Sequence, residues 1–264
     1  MTGPRVPMLP RLYSALPERA VFGHRGTPVK APENTLPSFQ GAVDLGVHGL
    51  EFDVRLTRDG EVVVIHDADL LRTTGRAGAV AEMSWDRMRE HDAGATFTPD
   101  RGATYPFRER GVRVPRLIDV LAAFPTTAMI IEVKVIEAAS AVRRILLEVD
   151  ALDRCMVGAF RHKTLLAFNG SGIARSASTR EVAQLYLPAL LGRRYARLPF
   201  QALSLPPVHR GIPVPLGALS RAVAPAGAPV LAWTINDVEG ARTCWQRGVR
   251  AVLSDDPATI LPAR

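Results

Sequence analysis

The chain has 264 residues, 47% of them hydrophobic, which suffices for a full core and lies close to the roughly 250 residues of one α/β barrel. No apolar run nears the roughly 18 residues of a membrane span, the N-terminus lacks a secretory-type apolar stretch, and Cys155 and Cys244 share no metal-ligand spacing. A cytoplasmic protein without a zinc-thiolate site is therefore expected. The net charge of +7 divides into −1 over residues 1–150 and +8 over 151–264, which suits an anionic substrate; no aromatic-interleaved basic motif points to nucleic acid.

Residues 1–19 are proline-rich, lack a clear period and read as an N-terminal arm. Residues 20–24 form a first apolar strand ending in His24-Arg25-Gly26. After a loop, Asn34-Thr35 can cap a helix over residues 36–45. Residues 50–54 are the second strand, and on an extended strand Glu51 and Asp53 share one face. Two carboxylates so placed repel unless a cation lies between them or one takes a proton.

Asp59-Gly60 reads as a tight turn and residues 62–65 as the returning strand, delivering His66-Asp67 near the carboxylate pair. Asp53 and His66 are only thirteen residues apart, too few for a parallel crossover through a helix. The returning strand is therefore a hairpin arm and not a new barrel strand. Residues 68–113 are polar and loop-rich, with one helix opened by Ser84 and running to about His91, and read as an insertion over one face of the fold.

Helices are expected over 117–124 and 137–150, and from near His162, Thr179, Pro215 and Asp237. Strands are expected over 128–135, 156–160, 173–178, 201–205, 230–235 and 251–254. With the first two they make eight strands alternating with helices, the pattern of a single closed (β/α)8 TIM barrel with a small insertion after the second-strand hairpin. No Gly-rich dinucleotide fingerprint follows the first strand.

Barrel chemistry sits where strands end. The strand ends here offer His24 and Arg25, Glu51 and Asp53, Glu132 and Lys134, Trp233 and Asn236, and Asp255. Each has a plainer reading: a structural histidine for His24, a buried ion pair for Glu132 and Lys134, core packing for Trp233, a turn or a support for His66 in Asp67. Gathered at one end of a barrel they are costly to bury without a task. Three oxygen ligands without a thiolate suit a hard cation, Mg2+ or Ca2+. Two histidines beside it suit an acid/base pair, and Arg25 and Lys134 could neutralise a phosphate. Together they describe phosphodiester cleavage.

In order along the chain stand His24-Arg25-Gly26, Ala31-Pro32-Glu33-Asn34-Thr35, Glu51-Phe52-Asp53-Val54, Thr57-Arg58-Asp59-Gly60, His66-Asp67, Glu132-Val133-Lys134, Trp233-Thr234-Ile235-Asn236 and Ser254-Asp255-Asp256-Pro257. This ordered set resembles the glycerophosphodiester phosphodiesterase family among the phosphatidylinositol-phospholipase-C-like barrels. The resemblance implies a barrel over residues 20–264 with the insertion at 68–113. It also implies one divalent ion on Glu51, Asp53 and Glu132, and His24 and His66 as acid and base. Arg25 and Lys134 would meet the phosphate, Trp233 would pack on the glycerol, and Glu33, Asn34 and Asp67 would support the site from behind. The reaction it implies yields glycerol 3-phosphate and an alcohol. Departures from the pattern are Arg116, Ala159-Phe160 and Leu205-Pro206-Pro207, expected near the rim where the alcohol is chosen.

Within that chemistry, cleavage of lysophospholipids in the manner of a lysophospholipase D at a membrane surface is the rival. A Schiff-base aldolase using Lys134 and a barrel that binds the diester without turnover are the more distant ones. The segment from Leu185 to Phe200 joins leucines to Arg193, Arg194 and Arg197. It reads first as a barrel helix with its leucines packed inward, Pro188 and Gly192 arguing against one long helix. Its second reading is a peripheral contact with an anionic membrane.

Overall fold

The structure, a computed structural model, describes residues 9–264. Eight parallel strands curl into a (β/α)8 barrel: β1 Ala20–His24, β2 Gly49–Leu56, β4 Ala128–Val133, β5 Cys155–Gly158, β6 Ala174–Arg175, β7 Leu203–Leu205, β10 Val230–Ala232 and β11 Ala251–Ser254. β1 pairs with both β2 and β11, and β6 meets β7 at a single parallel bridge, Ser176 to Ala202, which closes the ring. β3, Val62–Val64, folds back antiparallel on β2, so the hairpin is as expected. A second hairpin, β8 Val208–His209 with β9 Ile212–Pro213, rises between β7 and the helix Leu216–Val223. The sequence gives it no strand signal: it is bounded by Pro206-Pro207 and turned by Gly211, and its arms are too short to show a period.

Alternation along the strands sorts the side chains. Leu50, Phe52 and Val54 of β2 join Met129, Ile131 and Val133 of β4 in the layer between sheet and helices. The opposite set fills the barrel interior: Ala20 and Phe22, Ala128 and Ile130, Leu231, Ala251 and Leu253. Continuing each inward series by one step reaches His24, Glu132, Trp233 and Asp255, and in β2 the inward residues are Gly49, Glu51 and Asp53. Gly49 is required here, because a Cβ would lie 2.2 Å from the Phe22 ring that fills the barrel floor.

Residues 1–8 of the expected arm lie outside the described residues. From residue 9 the chain packs against the barrel: Tyr13, in the short helix Arg11–Ser14, and Leu16, just beyond it, are buried in the interior cluster beneath Phe22. The insertion has a small core of its own, in which Leu70, Val80, Met88 and Val112 pack on Val63 and Ile65 of the hairpin. Its expected helix is shorter than the sequence pattern suggested, Trp85–Met88, and Ser84 precedes it without a side-chain cap.

The helix Leu36–Asp44 begins at Thr35, whose hydroxyl accepts from the Ser38 N–H. The helix Thr179–Leu190 opens on a capping box between Ser178 and Glu181. It runs through Pro188, against the expectation, and stops before Gly192, whose φ is +81°. Of the leucines from 185 to 191 only Leu185 is buried; Leu187, Leu190 and Leu191 are exposed, which corrects the expectation of inward leucines. Among the described residues no helix is long and apolar enough to cross a membrane.

Candidate active site

Strand register assembles the site. His24 of β1 is the lateral partner of Glu51 in β2, and Asp53 is the partner of Glu132 in β4. Glu51, Asp53 and Glu132 can each offer an oxygen within 4.8 Å of the other two. These are the three carboxylates read as ligands from the sequence. Glu51 and Asp53 are buried and Glu132 is partly so.

Their electrostatics differ. Burial, with Asp53 close by, pushes Glu51 up to about 8, and burial also raises Glu132. Asp53 is buried too, yet Lys134 and Arg25 hold its carboxyl below the usual range. Lys134 Nζ lies 2.8 Å from Asp53 and 2.7 Å from Glu132, and Asn34 donates to Asp53 at 2.9 Å. Glu51 has no lysine or arginine ion pair among the described residues; its nearest titratable base is His24 Nε2 at 3.7 Å. A pocket of three oxygens, one buried without a cationic partner, fits a hard divalent cation.

The two histidines are mounted alike. His24 Nδ1 is 2.7 Å from Asp255, and His66 Nδ1 is 2.7 Å from Asp67. Each carboxylate fixes the ring and leaves the other nitrogen for chemistry. Burial opposes charge on His24, but Glu51 and Asp255 outweigh it and raise its pKa. Asn236 in turn donates to Asp255 at 3.0 Å.

Behind His66 stands a cationic bridge from the insertion. Arg72 pairs with Asp67 at 2.5 Å through Nε and with both oxygens of Glu33 at 2.6 and 2.8 Å. Glu33 also accepts from Arg25 at 3.0 Å, and Arg25 Nε lies 3.2 Å from Asp53. Partial burial works against ionisation, yet Arg72 and His66 draw Asp67 down to about 2. Arg25 and Asn34 sit at φ of +56° and +57°, conformations costly for residues other than glycine. Between them Gly26, at φ +91°, lies so close to Ser38 that a Cβ would come within 2.3 Å of its hydroxyl.

The eleven residues to which the resemblance gives a role in the site thus lie in or directly behind one cavity. His24, Arg25, Glu51, His66, Glu132, Lys134 and Trp233 line it, while Glu33, Asn34, Asp53 and Asp67 support them. Sequence reasoning missed Arg72 altogether and gave Asp255 no partner. It also placed Arg116 at the rim. Arg116 instead pairs with Asp119 at the start of the helix Leu117–Ala123, with its guanidinium 5.5 Å from the Trp85 ring, away from the cavity. Lys134, raised by Asp53 and Glu132 against the pull of burial, is held as an ammonium and is a poor Schiff-base nucleophile.

Comparison with known proteins follows the same lines. Residues 24–259 match the model of the glycerophosphoryl diester phosphodiesterase family. A glycerophosphodiester phosphodiesterase of Caldanaerobacter subterraneus subsp. tengcongensis is 27% identical over 248 residues, covering 91% of this chain and 96% of that protein. A probable glycerophosphodiester phosphodiesterase 2 of Mycobacterium tuberculosis is 30% identical over 245 residues, 90% of this chain and 87% of that one. In structure, an Oleispira antarctica phosphodiesterase in complex with the product sn-glycerol-3-phosphate superposes with a TM-score of 0.77 at 27% identity, over 96% of this chain and 98% of that one.

Proposed function

The chain belongs to the glycerophosphodiester phosphodiesterase family, phosphoric diester hydrolases, and from that premise we propose how its residues divide the work. Glu51, Asp53 and Glu132 hold one divalent cation, Mg2+ or Ca2+. His24 and His66 exchange protons with a glycerophosphodiester, which is cleaved to glycerol 3-phosphate and an alcohol. The observation that carries this reading is the carboxylate triad within 4.8 Å, flanked by two imidazoles each tied at Nδ1 to an acid. The catalytic unit is taken as residues 20–264 with the insertion at 68–113.

What the cation supplies when bound is Lewis-acid withdrawal of charge from the phosphate oxygens. Arg25 and Lys134 stand beside the triad as fixed positive groups and orient the phosphate. One imidazole takes the proton of the attacking hydroxyl or water; the other gives a proton to the leaving alcohol, which departs neutral. Asp67 and Asp255 hold the two rings at the angle this needs and stabilise each ring while it carries two protons. Trp233 offers an apolar face to the glycerol backbone, with Phe160 edge-on to it at 5.8 Å.

The test is glycerol 3-phosphate release from glycerophosphoethanolamine with and without chelator, together with calorimetric titration of Mg2+ and Ca2+. Loss of activity in chelator and its return with one of the two ions are expected. Full activity in chelator would overturn the metal assignment, and stoichiometric metal binding without product release would leave a binding barrel.

A cytoplasmic setting is supported by Cys155 and Cys244, both buried thiols outside any disulfide. A peripheral contact with an anionic membrane is supported by exposed Leu187, Leu190 and Leu191 beside exposed Arg193, Arg194 and Arg197. Cosedimentation with anionic liposomes that vanishes at high salt is expected. Equal sedimentation of wild type and a triple Arg→Ser variant at 193, 194 and 197 would discard the contact.

A further inference from the structure

The loops after β5, β6 and β7 bring one sign of charge to the cavity mouth. From residue 154 to residue 236 the chain carries a single acidic side chain, Glu181. It is buried, and Arg175 grips its carboxylate at 2.8 and 2.9 Å. All three loops lie in that stretch and meet at the cavity of 510 Å3, where Phe160, Thr179 and His209 help to line it. Each of these three is followed directly by an arginine: Arg161, Arg180 and Arg210, all exposed. With Glu181 committed to Arg175, no acid of the stretch neutralises them.

Arg210 stands at the bend of the hairpin β8–β9, where His209 pairs with Ile212 across a two-residue turn. Its φ is +50° and that of Gly211 is +80°. Such a turn favours asparagine or glycine at its first position, so arginine is held there at a conformational cost. Below the rim the barrel supplies hydroxyls. Ala174 and Ala202 face the interior. Ser176 and Ser204, each two residues further on, share that direction and line the cavity. Phe160, Val182, Leu205 and Ile212 fill the wall between floor and rim. Walls of low polarity concentrate the field of the charges set around them.

Hydroxyls at the floor and guanidiniums at the rim favour a polar alcohol that ends in an anion. Resting on the diesterase reading above, we infer that this rim is a subsite for a negatively charged group on the leaving alcohol of the glycerophosphodiester. The glycerol of such a diester offers only hydroxyls, so a second anion belongs to the alcohol. A carboxylate and a phosphate monoester present the same chemistry to the arginines, with one negative charge and about two.

The experiment compares four glycerophosphoesters of matched length in the presence of Mg2+ or Ca2+. Their leaving alcohols are propanediol, aminopropanol, hydroxypropionate and hydroxypropyl phosphate. Relative to the propanediol ester, kcat/KM is expected to be about threefold higher for the carboxylate and about tenfold higher for the phosphate, the scale of a few exposed charge pairs. The ammonium ester should fall below the neutral one. The gain should lie in KM, since the anion touches no reacting atom, and should shrink as salt is raised to about 0.5 M. Arg161→Gln, Arg180→Gln and Arg210→Asn combined should abolish the preference. Asparagine suits the turn and the other two positions are exposed, so the fold is kept. The triple Arg→Ser variant at 193, 194 and 197 removes the same charge beyond the opposite end of the helix Thr179–Leu190 and should retain the preference. Equal kcat/KM across the four esters, a preference that survives the rim variant, or one lost equally in the distant variant would overturn the subsite.

Phosphonate analogues with a methylene in place of the leaving oxygen separate this inference from the diesterase reading. In calorimetric titration the phosphate-bearing analogue should bind more tightly than the neutral one to the wild type, and equally to the rim variant. That binding pattern with no ester hydrolysed would sink the chemistry and keep the rim. Hydrolysis of the propanediol ester, with both analogues bound alike by the wild type, would do the reverse.

Discussion

The two walls of the barrel mouth are built by different means. The charged wall stands on β1, β2 and β4, where β2 and β4 pair over six consecutive residues from Gly49↔Ala128 to Val54↔Val133. The more apolar wall, where Phe160, Ala177, Val182 and Leu205 line the cavity, stands on the side where β6 and β7 touch at one bridge. There the seam is held by side chains: buried Arg175 grips Glu181 at 2.8 and 2.9 Å, and Gln201 Oε1 accepts from the Arg175 N–H at 3.0 Å. Buried charges are tolerable only with partners at fixed distances, which the β2–β4 register supplies on the charged wall and the Arg175–Glu181 pair supplies at the seam. Apolar contact is non-directional and accepts a looser frame. The charge count by halves pointed the other way: residues 151–264 carry +8, yet the cations beside the triad, Arg25 and Lys134, belong to the near-neutral half. Many arginines of the second half face solvent, as at 193, 194 and 197.

The hardest blow to the charged wall is Asp53→Ala. It removes an expected ligand and the partner of both cations, so turnover should fall by about three orders of magnitude, the scale of several kcal/mol of lost Lewis-acid assistance. The fold should survive, because Lys134 keeps Glu132 and Arg25 keeps Glu33. Near wild-type metal affinity by calorimetry would refute the assignment. Glu51 supplies a pH test of the same triad. Its folded pKa of about 8 lies above the ordinary carboxylate value, so its contribution to metal-free stability is full below about 4.5 and is lost as pH rises towards 8. The cation takes the carboxylate form, so binding at pH 6 should release a proton, seen as a buffer-dependent heat, and affinity should climb up to about pH 8. A buffer-independent heat at pH 6 would contradict this.

Next in size come the histidines. His24→Ala and His66→Ala should each lose roughly 10² or more in kcat while still binding the cation. If either variant kept full activity at neutral pH, that ring would be a structural group.

Much of the charged wall was legible because it depends on local alternation and short-range turns. Two-residue spacing put Glu51 and Asp53 on one face, and the thirteen residues to His66 demanded a hairpin. What stayed hidden was non-local. Asp255 reaches His24 across 231 residues because β11 closes against β1, a pairing the barrel creates and no local pattern announces. Arg72 contacts Glu33, 39 residues away, from a loop-rich insertion, as one arginine among thirty. On the apolar wall, β8 and β9 are too short for a period to appear. The leucines of the helix Thr179–Leu190 show why apolar content misleads: it is spacing on the helix that decides which of them meet the core.

Arg72→Ala should have the smallest effect of the series and the most specific. The side chain is 49% exposed, so its ion pairs lie largely in water and add little to stability. Its guanidinium nonetheless ties the carboxylate behind His66 to the carboxylate behind Arg25, the proposed proton-transfer group to the proposed phosphate-orienting one. Loss of that tie should lower kcat by about tenfold, the scale of a lost supporting contact, with the melting temperature essentially unmoved and metal affinity kept. Arg72→Lys should rescue poorly, because one ammonium cannot meet Glu33 through two parallel bonds and still reach Asp67. Added guanidinium at millimolar concentration should restore part of kcat in the Ala variant and none in wild type. A fall in melting temperature matching the fall in kcat, or full rescue by lysine, would reduce Arg72 to a surface charge and leave Asp67 to hold His66 alone.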